Sequence, residues 1–257
     1  MTLDGSWGYA SDKTYQQRWE LIAPQLRSDA FTMIDWGSDS GWFSVKTALD
    51  FPESKVIAVD GSIMLGDSNV REHKSRVSEM GITNNHLVNC LFDADTFAAL
   101  KSCPVNYQLV LSVFHWMGDG IGTRLQSRDD WNAAFIHLIE GAEYTFFEVP
   151  NEDDPGETPH KIRSWYDGRP VAEVIRSAIE GSGVRAEYRE LGEIEHPGKG
   201  YRKLFLIQSA AQAIDPERVL EVADVIARVG SRIRLPFSMT ARTKLRGLIN
   251  HLRAFRS

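Results

Sequence analysis

From Phe31 onward the chain alternates short apolar or β-branched runs with longer amphipathic stretches. The runs are FTMID (31–35), KVIAVD (55–60), HLVNCLF (86–92), YQLVLSVF (107–114), YTFFEV (144–149), VRAEY (184–188) and RKLFLIQ (202–208). Helical periodicity fits the intervening segments 42–50, 64–80, 95–101, 129–140 and 165–181. Strands that alternate with helices pair in parallel through crossovers, which predicts a doubly wound α/β sheet. The last two runs break the rule. Only ELGEIEHPGKGY separates them, too short for a helical crossover and rich in turn residues, so the sheet should end in a hairpin with one reversed strand. Tyr15, Trp19, Ile22 and Leu26 predict a leading amphipathic helix. Two further stripes, Val219–Val222–Ile226–Val229 and Leu245–Leu248–Ile249–Leu252, predict a pair of C-terminal helices separated by Pro236.

Composition narrows the class. The 257 residues, 42% hydrophobic and 25% charged, are enough for one sizeable core. Two cysteines exclude a disulfide framework or a four-thiolate zinc site. Residues 1–30 lack a signal-peptide pattern and no run of about 18 apolar residues occurs, so a cytoplasmic protein is expected. The net charge of −6 is uneven: residues 210–257 carry nine Lys/Arg against four acids, +5, and the first 209 residues carry −11. The acidic body argues against a nucleic-acid partner. The division at residue 209 predicts a body (1–209) and a basic helical extension (210–257). The extension could pack on the body, self-associate into a homo-oligomer, or meet an anionic membrane surface or an acidic partner.

The chemistry concentrates in TMIDWGSDSGWFS (32–44), a strand ending at Asp35 and a turn with Gly37, Ser38 and Gly41. Such a turn lets backbone approach a ligand at the carboxyl edge of a doubly wound sheet. A dinucleotide loop would read G-x-G-x-x-G; here the middle position is Asp39, which repels a pyrophosphate and suits a sulfonium or an α-ammonium. A nicotinamide-dependent dehydrogenase is therefore disfavoured. No G-x-S-x-G elbow or phosphate-binding P-loop occurs.

On these residues the chain resembles the class I S-adenosylmethionine-dependent methyltransferases. DWGSDSGWFS resembles their first motif, with Asp39 where many members have glycine. The resemblance implies that Asp35, Gly37, Ser38 and Gly41 surround the methionine part of S-adenosylmethionine. VIAVDGS (56–62) is similar to the second motif, which implies that Asp60, with Gly61 and Ser62, holds the ribose hydroxyls. LFDAD (91–95) is similar to the adenine segment, with Asp93 and Ala94 the best match; Asp95 is an alternative, and Asp93 could instead cap the next helix. YQLVLSVFHWM (107–117) resembles the strand whose end, at Ser112, lines the transfer site. The resemblance spans about residues 15–209 and implies a seven-stranded sheet, mostly parallel, with a reversed last strand.

His115 is the leading candidate to accept a proton from a hydroxyl acceptor, with pocket lining as the alternative and His160 or His196 as other bases. Trp36, Trp42 and Trp116 could face the sulfonium or simply pack. Glu148, Glu152, Asp153 and Asp154 do not match the ligand pattern of metal-dependent catechol-type methyltransferases. No metal is expected, and the segment is read as a solvated loop rimming the substrate. The sequence thus predicts an enzyme methylating a small molecule or saccharide at oxygen, with a weaker similarity to methyltransferases of bacterial glycans. A non-catalytic cofactor-binding subunit and a nucleic-acid methyltransferase are the alternatives.

Overall fold

The computed structural model describes residues 12–61, 68–119, 125–154, 162–196 and 200–233. Helix α1 (Asp12–Ile22) leads into β1 (Thr32–Trp36), α2 (Trp42–Asp50), β2 (Lys55–Asp60), α3 (Ser68–Glu79) and β3 (Asn85–Asn89). Then follow α4 (Ala94–Leu100), β4 (Val105–Leu111), α5 (Arg128–Glu140) and β5 (Ala142–Glu148). The chain continues through α6 (Ile162–Tyr166), α7 (Val171–Ser182), β6 (Ala186–His196), β7 (Gly200–Ser209) and α8 (Val219–Gly230). The seven strands form one sheet in the order β3-β2-β1-β4-β5-β7-β6. Pairing is parallel from β3 to β5, and β7 runs antiparallel to both β5 and β6. This is the class I methyltransferase fold.

Alternate residues of each strand feed two cores, as the two-residue period of a strand requires. Ile34 and Trp36 of β1 face the larger core with α4, α5, α7 and α8, whereas Met33 faces the smaller one with residues of α1 and α2. The larger core holds an aromatic cluster. Phe114 lies 5.4 Å from Trp131, 5.5 Å from Trp165 and 5.3 Å from Phe147, ring centre to ring centre. That cluster fixes the 3-10 turn Phe114–Asp119, which continues from the carboxyl end of β4. Val219, Val222 and Ile226 of α8 enter the same core, and Gly230 sits where a Cβ would stand 2.4 Å from the Leu91 carbonyl.

Three expectations need correction. The helix read over 165–181 is two helices, α6 and α7. Asp167 and Gly168 adopt positive φ between them, and Pro170 starts α7 because it lacks the N–H that a helix interior needs. The segment read as a connection, ELGEIEH, is strand. β6 extends to His196 with a register shift between Glu190 and Gly192, and Ile194 is buried in the smaller core. β3 ends at Asn89, so Cys90 lies just past it, with its thiol 3.9 Å from the Ile226 carbonyl of α8. Residues 64–67 of the third predicted helix and the second C-terminal stripe lie outside the described residues. Among the described residues no helix is long and apolar enough to cross a membrane.

Phe114 joins the core to the end of β4, so Phe114→Ala should cost about 3–5 kcal/mol in urea unfolding. A loss below about 1 kcal/mol would mean that the aromatic cluster does not anchor this turn.

Candidate active site

At the carboxyl edge, β1 and β4 are neighbours and the connections from them leave in opposite directions, the crevice where doubly wound sheets bind ligands. The loop after β1 is tied down by its backbone. The N–H groups of Gly37 and Ser38 both donate to the Val59 carbonyl of β2, at 2.8 and 3.0 Å, and Asp39 N–H donates to Asp60 Oδ2 at 2.8 Å. Gly37 has φ +68 and leaves no room for a side chain, because a Cβ would lie 2.6 Å from the Val113 side chain. Gly41, at φ +84, starts α2 with the His73 ring packed against it, 2.5 Å from where a Cβ would be. Both glycines are therefore required by space as well as by backbone angle.

This loop brings Asp35, Asp39 and Asp60 together. Asp35 is buried, accepts a hydrogen bond from Ser44 Oγ in the first turn of α2, and is pushed up to about 7 by burial. Burial likewise raises Asp60 to about 6 and shifts the Asp39 carboxyl upward. None of the three is in an ion pair among the described residues; Arg76 acts on Asp39 from nearby but is paired with Glu72. Desolvated carboxylates without a cation are held in the less favourable, partly protonated state. Next to them His73, fully buried, is lowered to about 4 by burial and is neutral at physiological pH.

A different cluster occupies the ends of β4 and β5. Arg18 of α1 donates from Nε to Glu148 Oε2 and from Nη2 to Glu148 Oε1, both at 2.7 Å. Ser112, held at φ +58, donates to Glu148 Oε1 at 2.5 Å and accepts from Arg18 at 3.1 Å and from Arg202 of β7 at 2.9 Å. Arg202 also donates twice to Asp154 Oδ2, at 3.0 and 2.8 Å. His196 Nε2 stands 3.1 Å from Glu148 Oε1 and 3.0 Å from Arg18 Nη2. Burial works against the Glu148 charge, but the Arg18 guanidinium and His196 outweigh it and hold the carboxyl well below the usual carboxylate range.

The structure therefore gathers Asp35, Gly37, Ser38, Gly41, Asp60 and Gly61 at the ends of β1 and β2. Ser112 lies at the end of β4 and His115, buried, in the turn that follows. Asp93 caps α4: its Oδ1 accepts from the N–H groups of Asp95 and Thr96 in a capping box, with Ala94 the first helical residue. Ser62 and His160 lie outside the described residues. Trp36 is buried and donates to Gln108, so it packs; Trp42 is half-buried and stacks on Tyr15 at 5.7 Å, and Trp116 is exposed. The solvated-loop reading of 146–157 fails for Glu148 and Asp154, both buried in ion pairs with arginines. Among the described residues no group of acids, histidines and cysteines could hold a metal ion.

The sequence reading missed Arg18, Arg202 and Tyr15. The available signals were a charged residue at the inward end of an apolar strand, as in YTFFEV, and arginine at an alternate position of RKLFLIQ.

No protein-family model and no curated protein matches the chain. Among solved structures it is similar to WbdD in complex with the kinase inhibitor LY294002, at 17% identity and a TM-score of 0.56, covering 78% of this chain and 42% of that one. It is also similar to a second structure, described as the bifunctional kinase-methyltransferase WbdD, at 15% identity and a TM-score of 0.54, covering 79% and 40%. The chain thus spans about two fifths of the WbdD chains it matches. These likenesses are likenesses of fold.

Two measurements check the electrostatics. Glu148→Ala strands Arg18 and should cost about 3–5 kcal/mol of stability, read by urea unfolding. For Asp35, the raised folded value means that the folded chain keeps a proton which the unfolded chain loses above about pH 4, so its charge destabilises increasingly toward pH 7. The stability of Asp35→Asn relative to the parent should therefore rise from pH 4 to pH 7.5. A constant difference across that range would show that Asp35 titrates normally.

Proposed function

We propose that this protein is an S-adenosylmethionine-dependent methyltransferase acting on a small-molecule or saccharide acceptor, at oxygen. One observation carries the reading: three desolvated carboxylates, none in an ion pair among the described residues, converge at the ligand-binding edge of a methyltransferase-type sheet. A cationic ligand supplies the charge they lack, whereas a pyrophosphate would add to the repulsion. Asp35, Gly37, Ser38 and Gly41 surround the methionine portion in this reading. Asp60, with Gly61 and Ser62, accepts hydrogen bonds from the ribose hydroxyls. Asp93 and Ala94, at the start of α4, border the adenine.

When bound, S-adenosylmethionine supplies a methyl group on a sulfonium, open to in-line displacement. The chain's part is placement and proton management. Ser112, fixed between Arg18, Arg202 and Glu148, lines the transfer position. His115, three residues on and anchored through Phe114, accepts the acceptor's hydroxyl proton. His196, whose Nε2 stands 3.1 Å from Glu148 Oε1, is the second candidate proton acceptor, because a buried carboxylate orients a neighbouring imidazole ring. Trp116 and Tyr201, both exposed, offer the flat apolar faces that support a saccharide acceptor. The acidic body gives no phosphate track, so nucleic acid is not proposed as a partner. The basic C-terminal segment is left for docking or self-association.

Calorimetric titration separates the readings. S-adenosylmethionine and S-adenosylhomocysteine should bind and NAD should not; binding of NAD alone would reverse the assignment. Asp60→Ala should weaken S-adenosylhomocysteine by about 1–3 kcal/mol. His115→Ala should leave that affinity intact and lower turnover about 10²–10⁴-fold, and near-normal turnover would pass the role to His196.

A further inference from the structure

We propose that Asp39 is the residue that binds the α-ammonium group of the cofactor's amino-acid portion and selects for it. This deepens the reading of the same site as a binding site for S-adenosylmethionine. Of the three carboxylates, Asp35 is committed to α2 through Ser44, and Asp60 has Oδ2 committed to the Asp39 N–H. Asp39 is half-buried, and its carboxylate is steered rather than neutralised. Asn69 donates to its Oδ1, and the Tyr15 hydroxyl of α1 approaches it as a second neutral donor. The nearby Arg76 is paired with Glu72 and donates to the Ser40 carbonyl.

The backbone points the same way. Asp39 sits at φ +52, between Gly37 and Gly41, in the left-handed region where glycine carries no steric penalty and most side chains do. Aspartate at that position is an unfavourable choice for the loop alone, and the carboxylate is what it adds. Beside it, Ser38 is 6% exposed and its hydroxyl oxygen has no hydrogen-bond partner among the described residues. A buried hydroxyl left open in the same loop is the independent mark of a polar ligand group. A carboxylate with two neutral donors, next in the chain to a serine whose hydroxyl is open, matches an ammonium, whose three N–H groups need acceptors.

The test pairs two ligands with two variants, by calorimetric titration. The ligands are S-adenosylhomocysteine and its deaminated analogue, which keeps the carboxylate and replaces the ammonium by hydrogen. The parent protein should prefer S-adenosylhomocysteine by about 10- to 100-fold, the scale of a charge-assisted hydrogen bond. Asp39→Asn keeps the size and tolerates the left-handed backbone. It should reduce that preference to about twofold or less, through loss of S-adenosylhomocysteine affinity alone. Asp39→Gly should lose the preference in the same way while melting at or above the parent temperature, because it relieves the backbone. A preference retained in either variant overturns the proposal. So does an equal loss of both ligands, which would make Asp39 a loop-shaping residue only. If the parent binds neither ligand, the cofactor reading itself fails, a result separate from these.

Discussion

The constraint on which the rest of this structure depends is the cost of removing charge from water. Along one sheet edge the chain meets that cost in two ways. At the ends of β4 and β5, Glu148 and Asp154 are each joined to a buried arginine, and the cluster is closed by Ser112 and His196. At the ends of β1 and β2, Asp35 and Asp60 are buried and Asp39 is half-buried, and none of the three is in such an ion pair among the described residues. A closed ion network rigidifies what surrounds it, whereas an open set of acids stays in an unfavourable state until a cation arrives. In the proposed reading the closed network holds Ser112 and His196 in place, and the open acids take the cationic ligand.

Helix α1 links the two halves. Tyr15 and Arg18, one turn apart, reach toward Asp39 and Glu148 respectively, while Trp19 and Ile22 are buried in the smaller core. The spacing that reads as an amphipathic helix in the sequence thus places two polar groups on the site as well. On the other face, Phe114 carries the packing of α5 and α6 to the turn that holds His115, so core geometry and site geometry share one residue. Only the first of the two predicted C-terminal helices lies within the described residues, and there it is part of the larger core.

Much of the fold is legible from the sequence because the strands that build it are continuous apolar runs ended by acids. Asp35 and Asp60 lie at the carboxyl ends of β1 and β2, which is why the alternating α/β pattern and the candidate cofactor loop could be read together. What escaped reading depends on partners far apart in the chain. Arg18 and Glu148 are separated by 130 positions, so the acid that ends YTFFEV signals the need for a partner without naming which residue supplies it. Asp93 illustrates a tie that sequence leaves open. The same residue types serve an adenine contact and a helix cap, and the structure shows the cap. The length of β6 was hidden because Gly192 and the charged residues around it read as a turn, although the bulge accommodates them within the strand.

The central claim is that the open acids are completed by a cationic cofactor, and proton release on binding tests it most directly. With Asp35 at about 7 and Asp60 at about 6 in the free protein, S-adenosylmethionine should expel protons near pH 6.5 as it stabilises the charged carboxylates. Calorimetry in two buffers of different ionisation enthalpy reads that number. The account predicts release of about one proton per ligand at pH 6.5, falling toward zero at pH 9. Binding with no proton release at pH 6.5, or with uptake, would contradict it.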